Sequence, residues 1–118
     1  MKINKELTIQ YYKKYEPCDC KYCLNYYKQI EECQKKVCEF LLSLGVNPLK
    51  PFELVFDEEE NSITYIGCMY VVYGVVEDDY TKEIDGVKFQ INKNNHPFTG
   101  IEEEHFVLDL GPITMPLI

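Results

Sequence analysis

Tryptophan and arginine are missing from this 118-residue sequence, and histidine occurs only twice. All 12 basic residues are lysines, and 20 acidic residues bring the net charge to -8. Phosphate backbones and anionic membranes bind basic surfaces, so we expect neither nucleic acid nor a membrane as a partner. No apolar run approaches the ~18 residues of a membrane span, and the N-terminus has no apolar signal region. These absences predict a cytoplasmic protein.

The composition is typical of a globular protein, with 46% hydrophobic residues. Domains commonly contain ~100–150 residues, so we predict a single domain over residues 1–118. A helical segment rich in Cys and Tyr is expected at 1–48 and an antiparallel sheet at 49–118. This order predicts an α+β fold of two layers, with the N-terminal helices packed on one face of a C-terminal antiparallel β-meander.

Apolar residues at spacings of three and four predict helical structure from Cys20 to Leu44. One helix of this length would measure about 37 Å at ~1.5 Å per residue, which is long for so small a domain. A polar run in the middle favours a break, so we predict two helices at about 20–31 and 34–44. Asp19 is the predicted N-cap, and Gly45 is predicted to end the second helix.

Residues 1–16 are compatible with a short strand or with a helix from Leu7 to Tyr15. In the second half of the chain the apolar period changes to two, which is typical of strands. The run from Ile63 to Val76 is apolar on both faces and predicts a central strand, with Gly67 at a bulge or bend. The apolar tail 113–118 is predicted to pair at a sheet edge or to dock on a partner.

The stretch PCDCKYC places Cys18, Cys20 and Cys23 within six residues at the start of the predicted helix. In an extended segment Cys18 and Cys20 point the same way, and on a helix Cys20 and Cys23 share a face. The positive end of the helix dipole favours thiolates, the form that binds metals and acts as a nucleophile. We therefore predict these three residues as zinc ligands, with a fourth ligand still required for a structural site.

The sequence does not identify that fourth ligand. Cys33 lies ten residues beyond Cys23, which is about 15 Å along a continuous helix, so Cys33 or Cys38 can share the ion only if the chain folds back near residue 32. Other residues that can supply a ligand are Cys68, His96, His105 and Asp19. Two alternatives stay open for the three cysteines, namely a reactive or redox-active thiol pair and simple burial as small apolar side chains. We expect Cys33, Cys38 and Cys68 to be packed in the core.

Six of the ten tyrosines fall between Tyr11 and Tyr27. Tyrosine supplies a large contact area at low entropic cost and is enriched at protein interfaces. We predict that Tyr22, Tyr26 and Tyr27 contact a protein partner, and the alternative is an aromatic seam that holds the helices to the sheet. A homo-oligomer formed through the apolar tail is a further prediction.

The stretch YYKKYEPCDCKYCLNYYKQI, followed by FLLSLGVNPLKPFE, resembles a group of small bacterial proteins of the clostridial type. That group shares a CDCxYCxNY segment, and its function is unknown. TYIGCMYVVYGVV and LGPITMPLI resemble its strand and its C-terminal segment, although this chain lacks the Trp that the latter often carries. The resemblance implies a coherent module over most of the chain and implies no activity.

No catalytic or phosphate-binding motif is complete in the sequence, so it leaves the question of an enzyme open and favours a non-enzymatic role. We predict a cytoplasmic binding or accessory module with a structural zinc ion at the cysteine cluster. The alternative prediction is a thiol-based redox or sensor protein that uses Cys18, Cys20 and Cys23.

Overall fold

The computed structural model describes residues 1–118 and has an α+β fold, as predicted, with helices packed against a curled antiparallel sheet. The helices are α1 (Lys5–Lys14), α2 (Lys21–Cys33) and α3 (Lys35–Ser43). The strands are β1 (Lys2–Ile3), β2 (Glu53–Glu58), β3 (Ser62–Val75), β4 (Tyr80–Ile84), β5 (Val87–Ile91), β6 (His105–Gly111) and β7 (Ile113–Pro116). No helix combines the length and the apolar character that a membrane crossing requires.

The predicted break in the helical segment is confirmed and lies at Gln34. The backbone of this residue, with φ -138° and ψ 66°, is outside the helical region. Its N–H still donates to the Ile30 carbonyl at 2.9 Å, and its carbonyl accepts from the Cys38 N–H at 3.0 Å. One residue therefore joins the end of α2 to the start of α3. Gly45, with a positive φ of 86°, follows α3 as predicted.

The first sixteen residues contain both of the predicted alternatives, a short strand followed by a helix. Asn4 fixes the start of α1 because its side-chain Oδ1 accepts a hydrogen bond from the Leu7 N–H at 3.1 Å. At the other end of the helix, Tyr15 has an extended backbone with ψ 132°. Pro17, two residues further on, prevents the helix from continuing.

The predicted N-cap of α2 is wrong by one residue, because Cys20 and not Asp19 occupies that position. The first helical hydrogen bond runs from the Leu24 N–H to the Cys20 carbonyl over 2.9 Å, so Asp19 lies outside the helix. Cys20 has an extended backbone, and its side chain makes no capping hydrogen bond. One of the three clustered sulfurs is therefore carried by the capping residue itself.

β3 is the central strand, as predicted, and its 14 residues pair antiparallel with four other strands. β2 and β1 lie along one side of it, while β6 and β7 lie along the other. β5 and β4 extend the sheet beyond β6. The chain thus leaves β3, forms the β4–β5 hairpin at the far edge and returns through β6, so strands adjacent in sequence are not always neighbours in the sheet.

The pairing of β2 with β3 shifts register next to Gly67, where a bulge was predicted. Phe56 pairs with Tyr65, whereas the residue before Phe56 pairs with Gly67, so Ile66 is the extra residue of a bulge. On the opposite side of β3, Gly111 passes so close to the Ile66 carbonyl that an added Cβ would collide with it. The bulge and Gly111 therefore lie at the position along β3 where β6 ends and β7 begins.

A core of 21 buried residues lies between the helices and one face of the sheet. β3 contributes alternate side chains to it, and these are Ile63, Tyr65, Cys68, Tyr70 and Val72. α2 and α3 contribute Tyr26, Ile30, Val37, Cys38 and Leu41. In the C-terminal tail, Ile113 and Met115 are also core residues, and β7 pairs with β3. The predicted edge pairing of the tail is therefore confirmed.

The predicted homo-oligomer depended on the apolar tail, and two of its residues, Ile113 and Met115, are buried within the chain, whereas Ile118 is exposed. Asn25, itself buried, fastens the last residues: its amide donates to the Pro116 carbonyl at 3.1 Å, and its carbonyl oxygen accepts from the Ile118 N–H at 2.8 Å. Gln29 donates a second hydrogen bond to the Pro116 carbonyl. The tail is thus attached to α2 as well as to the sheet, and only its outward side chains remain for another molecule.

Between the ends of β2 and β1, the edge of β3 is covered by α1 and not by a strand. The Tyr12 hydroxyl donates to the Val71 carbonyl at 2.7 Å, and the Thr8 hydroxyl oxygen accepts from the Tyr73 N–H at 3.0 Å. The Thr8 hydroxyl in turn donates to the Asn4 carbonyl. Side chains of a helix thereby satisfy backbone groups of the central strand that would otherwise be unpaired.

Candidate metal centre at the start of the second helix

The structure brings the three predicted ligands together where the segment after α1 enters α2. The sulfur atoms of Cys18, Cys20 and Cys23 all lie within 4.8 Å of one another. Cys23 is only 7% exposed, while Cys18 and Cys20 are exposed. Thiolate sulfur is a soft donor that selects ions such as zinc and copper(I). Three such donors at this separation can bind one metal ion.

Local backbone geometry accounts for the convergence. Cys20 is the extended N-cap residue and Cys23 follows in the first turn, so their side chains lie on one side of the helix start. The Cys18 sulfur accepts a hydrogen bond from the Cys20 N–H at 3.4 Å. The Tyr27 hydroxyl donates to the Cys18 carbonyl at 2.7 Å, which ties the extended segment to the next turn of α2. The three sulfurs are thus held by a single local structure.

The environment shifts the pKa values of two of these thiols in opposite directions. The backbone N–H of Cys23, at the positive end of α2, lowers the pKa of the Cys20 thiol. Burial raises the pKa of the Cys23 thiol to about 12, and hydrogen bonds with Cys20 and Cys18 act in the same direction. Of these two thiols, Cys20 is therefore the more readily deprotonated.

Three tyrosines, Tyr15, Tyr27 and Tyr65, border the cluster. Burial is the largest cause that raises the pKa of each, and the charge of the nearby cysteines adds to it. Each hydroxyl donates its proton to a backbone carbonyl. Tyr27 and Tyr65 therefore support the cluster as hydrogen-bond donors to the carbonyls of Cys18 and Tyr22. Tyr15 instead donates to the carbonyl of Phe52. No sequence signal pointed to Tyr65, because it reaches the cluster only through the tertiary fold.

The three tyrosines predicted to contact a partner occupy different environments. Tyr22 and Tyr27 are half-buried and border the cluster. Tyr26 is 0% exposed, and its hydroxyl shares a 2.7 Å hydrogen bond with the hydroxyl of Tyr70, which donates to the Pro48 carbonyl. The prediction for Tyr26 is therefore corrected, because its side chain belongs to the core and offers a partner no surface.

The three remaining cysteines lie away from the cluster. Cys33 ends α2 and is exposed, so its predicted place in the core is wrong. Cys38 and Cys68 are buried as predicted, and burial raises their thiol pKa values to about 11 and about 12. The Cys68 thiol faces the hydroxyl of Tyr26 on the core side of the sheet. None of these sulfurs joins the group of three.

The two histidines form a separate pair, with ring centroids 5.4 Å apart. His105 pairs in register with Tyr73 of β3. The first turn of α2 contacts a different part of β3, because the Tyr65 hydroxyl donates to the carbonyl of Tyr22. Eight residues of a strand separate these positions, which is roughly 25 Å at ~3.3 Å per residue. Neither His105 nor His96 belongs to the sulfur group, and neither does Asp19. The group consists of three sulfurs from this chain.

No protein-family model, curated protein or solved structure matches this chain. The resemblance to the group with the CDCxYCxNY segment therefore stays a prediction.

Proposed function

We propose that this protein is a metal-dependent binding module in which Cys18, Cys20 and Cys23 hold one soft metal ion, with zinc as the expected occupant. The observation that carries the proposal is the approach of the three sulfurs to within 4.8 Å of one another. Zinc binds cysteine thiolates at ~2.3 Å, so sulfurs at this separation need little movement to surround it. A reducing cytoplasm keeps such thiols available as ligands.

The proposed role of the ion is to order the connection between α1 and α2. Residues 15–20 have no regular secondary structure. Cys23 is anchored on α2 beside the core, whereas Cys18 and Cys20 belong to the exposed connection. An ion bound to all three would fix the connection against the helix. This is how structural zinc sites act in small proteins, where the binding energy contributes to local folding.

We propose a protein as the partner of the ordered surface. Tyr22 and Tyr27 border it, and both are half-buried. The Tyr22 hydroxyl donates to the carboxylate of Glu58, with oxygens at 2.7 and 3.0 Å, and the Lys21 ammonium lies 5.2 Å from the centre of its ring. Aromatic rings held in place beside charged groups are typical of protein interfaces.

Metal analysis tests the proposal. Protein purified in reduced form without a chelator should contain about one zinc ion per chain, and the metal-free protein should bind one equivalent of cobalt(II) with sulfur-to-metal charge-transfer absorption. Cys18→Ser, Cys20→Ser and Cys23→Ser should each weaken binding strongly. Cys33→Ser is the matched control, because Cys33 is exposed but outside the group. A wild-type protein that binds neither ion would overturn the proposal.

The second candidate function is a thiol-based redox sensor, and the opposite pKa shifts of Cys20 and Cys23 favour it. The exposed Cys20 thiolate would attack a peroxide, such as hydrogen peroxide, and form a sulfenic acid with release of hydroxide. A neighbouring thiol, from Cys18 or Cys23, would then condense with the sulfenic acid to a disulfide and release water. Metal-free protein that forms no disulfide with one equivalent of peroxide would argue against this candidate.

A further inference from the structure

We infer that the fourth coordination position of the proposed metal site is filled from outside this chain, by a neutral nitrogen donor of the imidazole type. The inference rests on the proposed metal-binding function and adds to it the chemistry of the missing ligand. That donor can be a free imidazole compound or a histidine side chain of a partner protein, which present the same chemistry to the metal.

The first step is the number of ligands. Zinc and cobalt(II) in thiolate sites take four ligands in a tetrahedron. Cys18, Cys20 and Cys23 supply three, and no other cysteine, histidine or carboxylate joins them. Asp19 is the nearest acidic residue in sequence, but in an extended segment its side chain points away from those of its two cysteine neighbours. The chain therefore leaves one position open.

The second step is the direction of that position. Cys23 is buried against α2, and Cys18 and Cys20 are exposed on the connection. An ion bound to all three sulfurs would contact the core of the protein through Cys23. The fourth position of the tetrahedron would then face the solvent. A donor from another molecule can approach there without displacing any side chain of the core.

The third step is charge. Three thiolates and a divalent cation together carry one negative charge, and the chain as a whole has a net charge of -8. Near the cluster, the Glu58 carboxylate held by the Tyr22 hydroxyl is offset by the Lys21 ammonium over the ring of the same tyrosine, so the negative charge of the metal–thiolate group is not neutralised locally. An anionic fourth ligand would bring a further negative charge into this region, whereas imidazole brings none. Imidazole nitrogen is also among the donors that zinc prefers.

The test uses the reduced full-length chain, without a histidine tag, loaded with one equivalent of cobalt(II). Imidazole is added while the cobalt d–d absorption is recorded, because these bands report directly on the ligands of the metal. We expect a saturable change of the bands at millimolar imidazole, with cobalt still bound. N-acetylcysteine, as the anionic sulfur donor, should produce a smaller change at the same concentration. A d–d spectrum that imidazole leaves unchanged overturns the inference.

Asp19→Asn separates the remaining explanations. It should bind cobalt(II) and respond to imidazole as the wild type does, whereas a changed spectrum before imidazole is added would identify Asp19 as the fourth ligand and overturn the inference. One cobalt ion per two chains, with a dimer in size-exclusion chromatography, would assign the position to a second copy and also overturn it. A wild-type chain that binds no cobalt at all contradicts the proposed function itself, which is a different result from bound cobalt without an imidazole response.

Discussion

The hydroxyl of Tyr12 lies 2.7 Å from the carbonyl oxygen of Val71, at the point where the central strand has no strand beside it. The two residues are 59 positions apart in sequence, and the hydrogen bond between them is buried. Burial also raises the pKa of Tyr12 well above its usual value, so the hydroxyl remains a donor. α1 is thereby attached to the strand that organises the whole sheet.

Removal of this hydroxyl should destabilise the fold. Tyr12→Phe leaves a buried carbonyl without its donor, and we expect it to lower the free energy of unfolding by about 1–3 kcal/mol. Urea denaturation followed by circular dichroism measures the change. Tyr11→Phe is the control, because Tyr11 is half-buried and stacks on Tyr15 with ring centroids 5.2 Å apart. Burial and the neighbouring tyrosines raise the pKa of Tyr11, and no hydrogen bond contributes to this shift. Equal losses in both variants would contradict the assigned role of Tyr12.

Asp109 provides a prediction about pH. Its buried Oδ1 has no hydrogen-bond partner, and burial raises the pKa of its carboxyl group. The folded state thus binds this proton more tightly than the unfolded state, so the Asp109 contribution to stability falls as pH rises from the usual carboxyl range through the raised value. Asp109→Asn removes the ionisation and should raise the free energy of unfolding at pH 7, because the desolvated charge is then absent from the folded state.

The gain from Asp109→Asn should shrink when urea denaturation is repeated at successively lower pH, because the wild-type carboxyl group then becomes neutral as well. Asp78→Asn, at an exposed position, should change stability by less than about 0.5 kcal/mol at every pH. A gain for Asp109→Asn that is the same at pH 7 and at pH 4 would show that ionisation is not its cause.

The cysteine cluster should react unevenly with alkylating agents. In metal-free, reduced protein at pH 7, we expect iodoacetamide to modify Cys20 faster than the exposed Cys33, since the lowered pKa of Cys20 gives more thiolate. Cys23 should react slowest of the three, because its raised pKa leaves it protonated. Peptide mass spectrometry over time gives the three rates. Identical rates at Cys20 and Cys33 would remove the support for a reactive thiol.

The hydrogen bond from Tyr27 to the Cys18 carbonyl should influence metal affinity. Partners of this kind, which orient a ligand, typically affect metal affinity by about 10–100-fold, so Tyr27→Phe should weaken cobalt(II) binding by about tenfold. Tyr22→Phe is a matched control in the same helix, because the Tyr22 hydroxyl binds the exposed Glu58 and not the cluster. Competition with a chromophoric chelator measures both affinities, and indistinguishable values would place Tyr27 outside the metal site.

Local sequence patterns accounted for much of the fold. The polar run placed the break of the helical segment, which lies at Gln34, and Gly45 followed the second helix because its positive φ suits that position. The apolar run of β3 identified the central strand and Gly67 the region of its bulge. The sulfur cluster was predictable for the same reason, since its members are neighbours in sequence and need only a helix start to meet.

Residue type was a weaker guide than position on the helix. Tyr26 lies three residues after Cys23 and four before Ile30, a spacing that places all three on the buried face of α2. The enrichment of tyrosine at interfaces pointed to a partner instead. Cys33 lies three residues after Ile30, but it is the last residue of α2 and its thiol is exposed.

Long-range pairing had no local signal. The alternation of apolar residues in β5 and in β6 suits a neighbour of β3 equally well, and only β6 takes that place. The contact of Tyr12 with Val71 depends in turn on where β2 ends and β1 begins. Such features arise from competition between whole arrangements of the chain, which a single stretch of sequence does not reveal.

The short span of the sulfur cluster has a thermodynamic consequence. Cys18, Cys20 and Cys23 lie within a span of six positions, so they would remain close together when the chain unfolds, and the unfolded chain would also bind the proposed ion. Binding to both states shifts the unfolding equilibrium only by the ratio of the two affinities. The melting temperature should therefore depend weakly on metal concentration. The proposed ion could leave and return while the sheet stays folded, so its occupancy would follow the supply of free metal and not the folding of the protein.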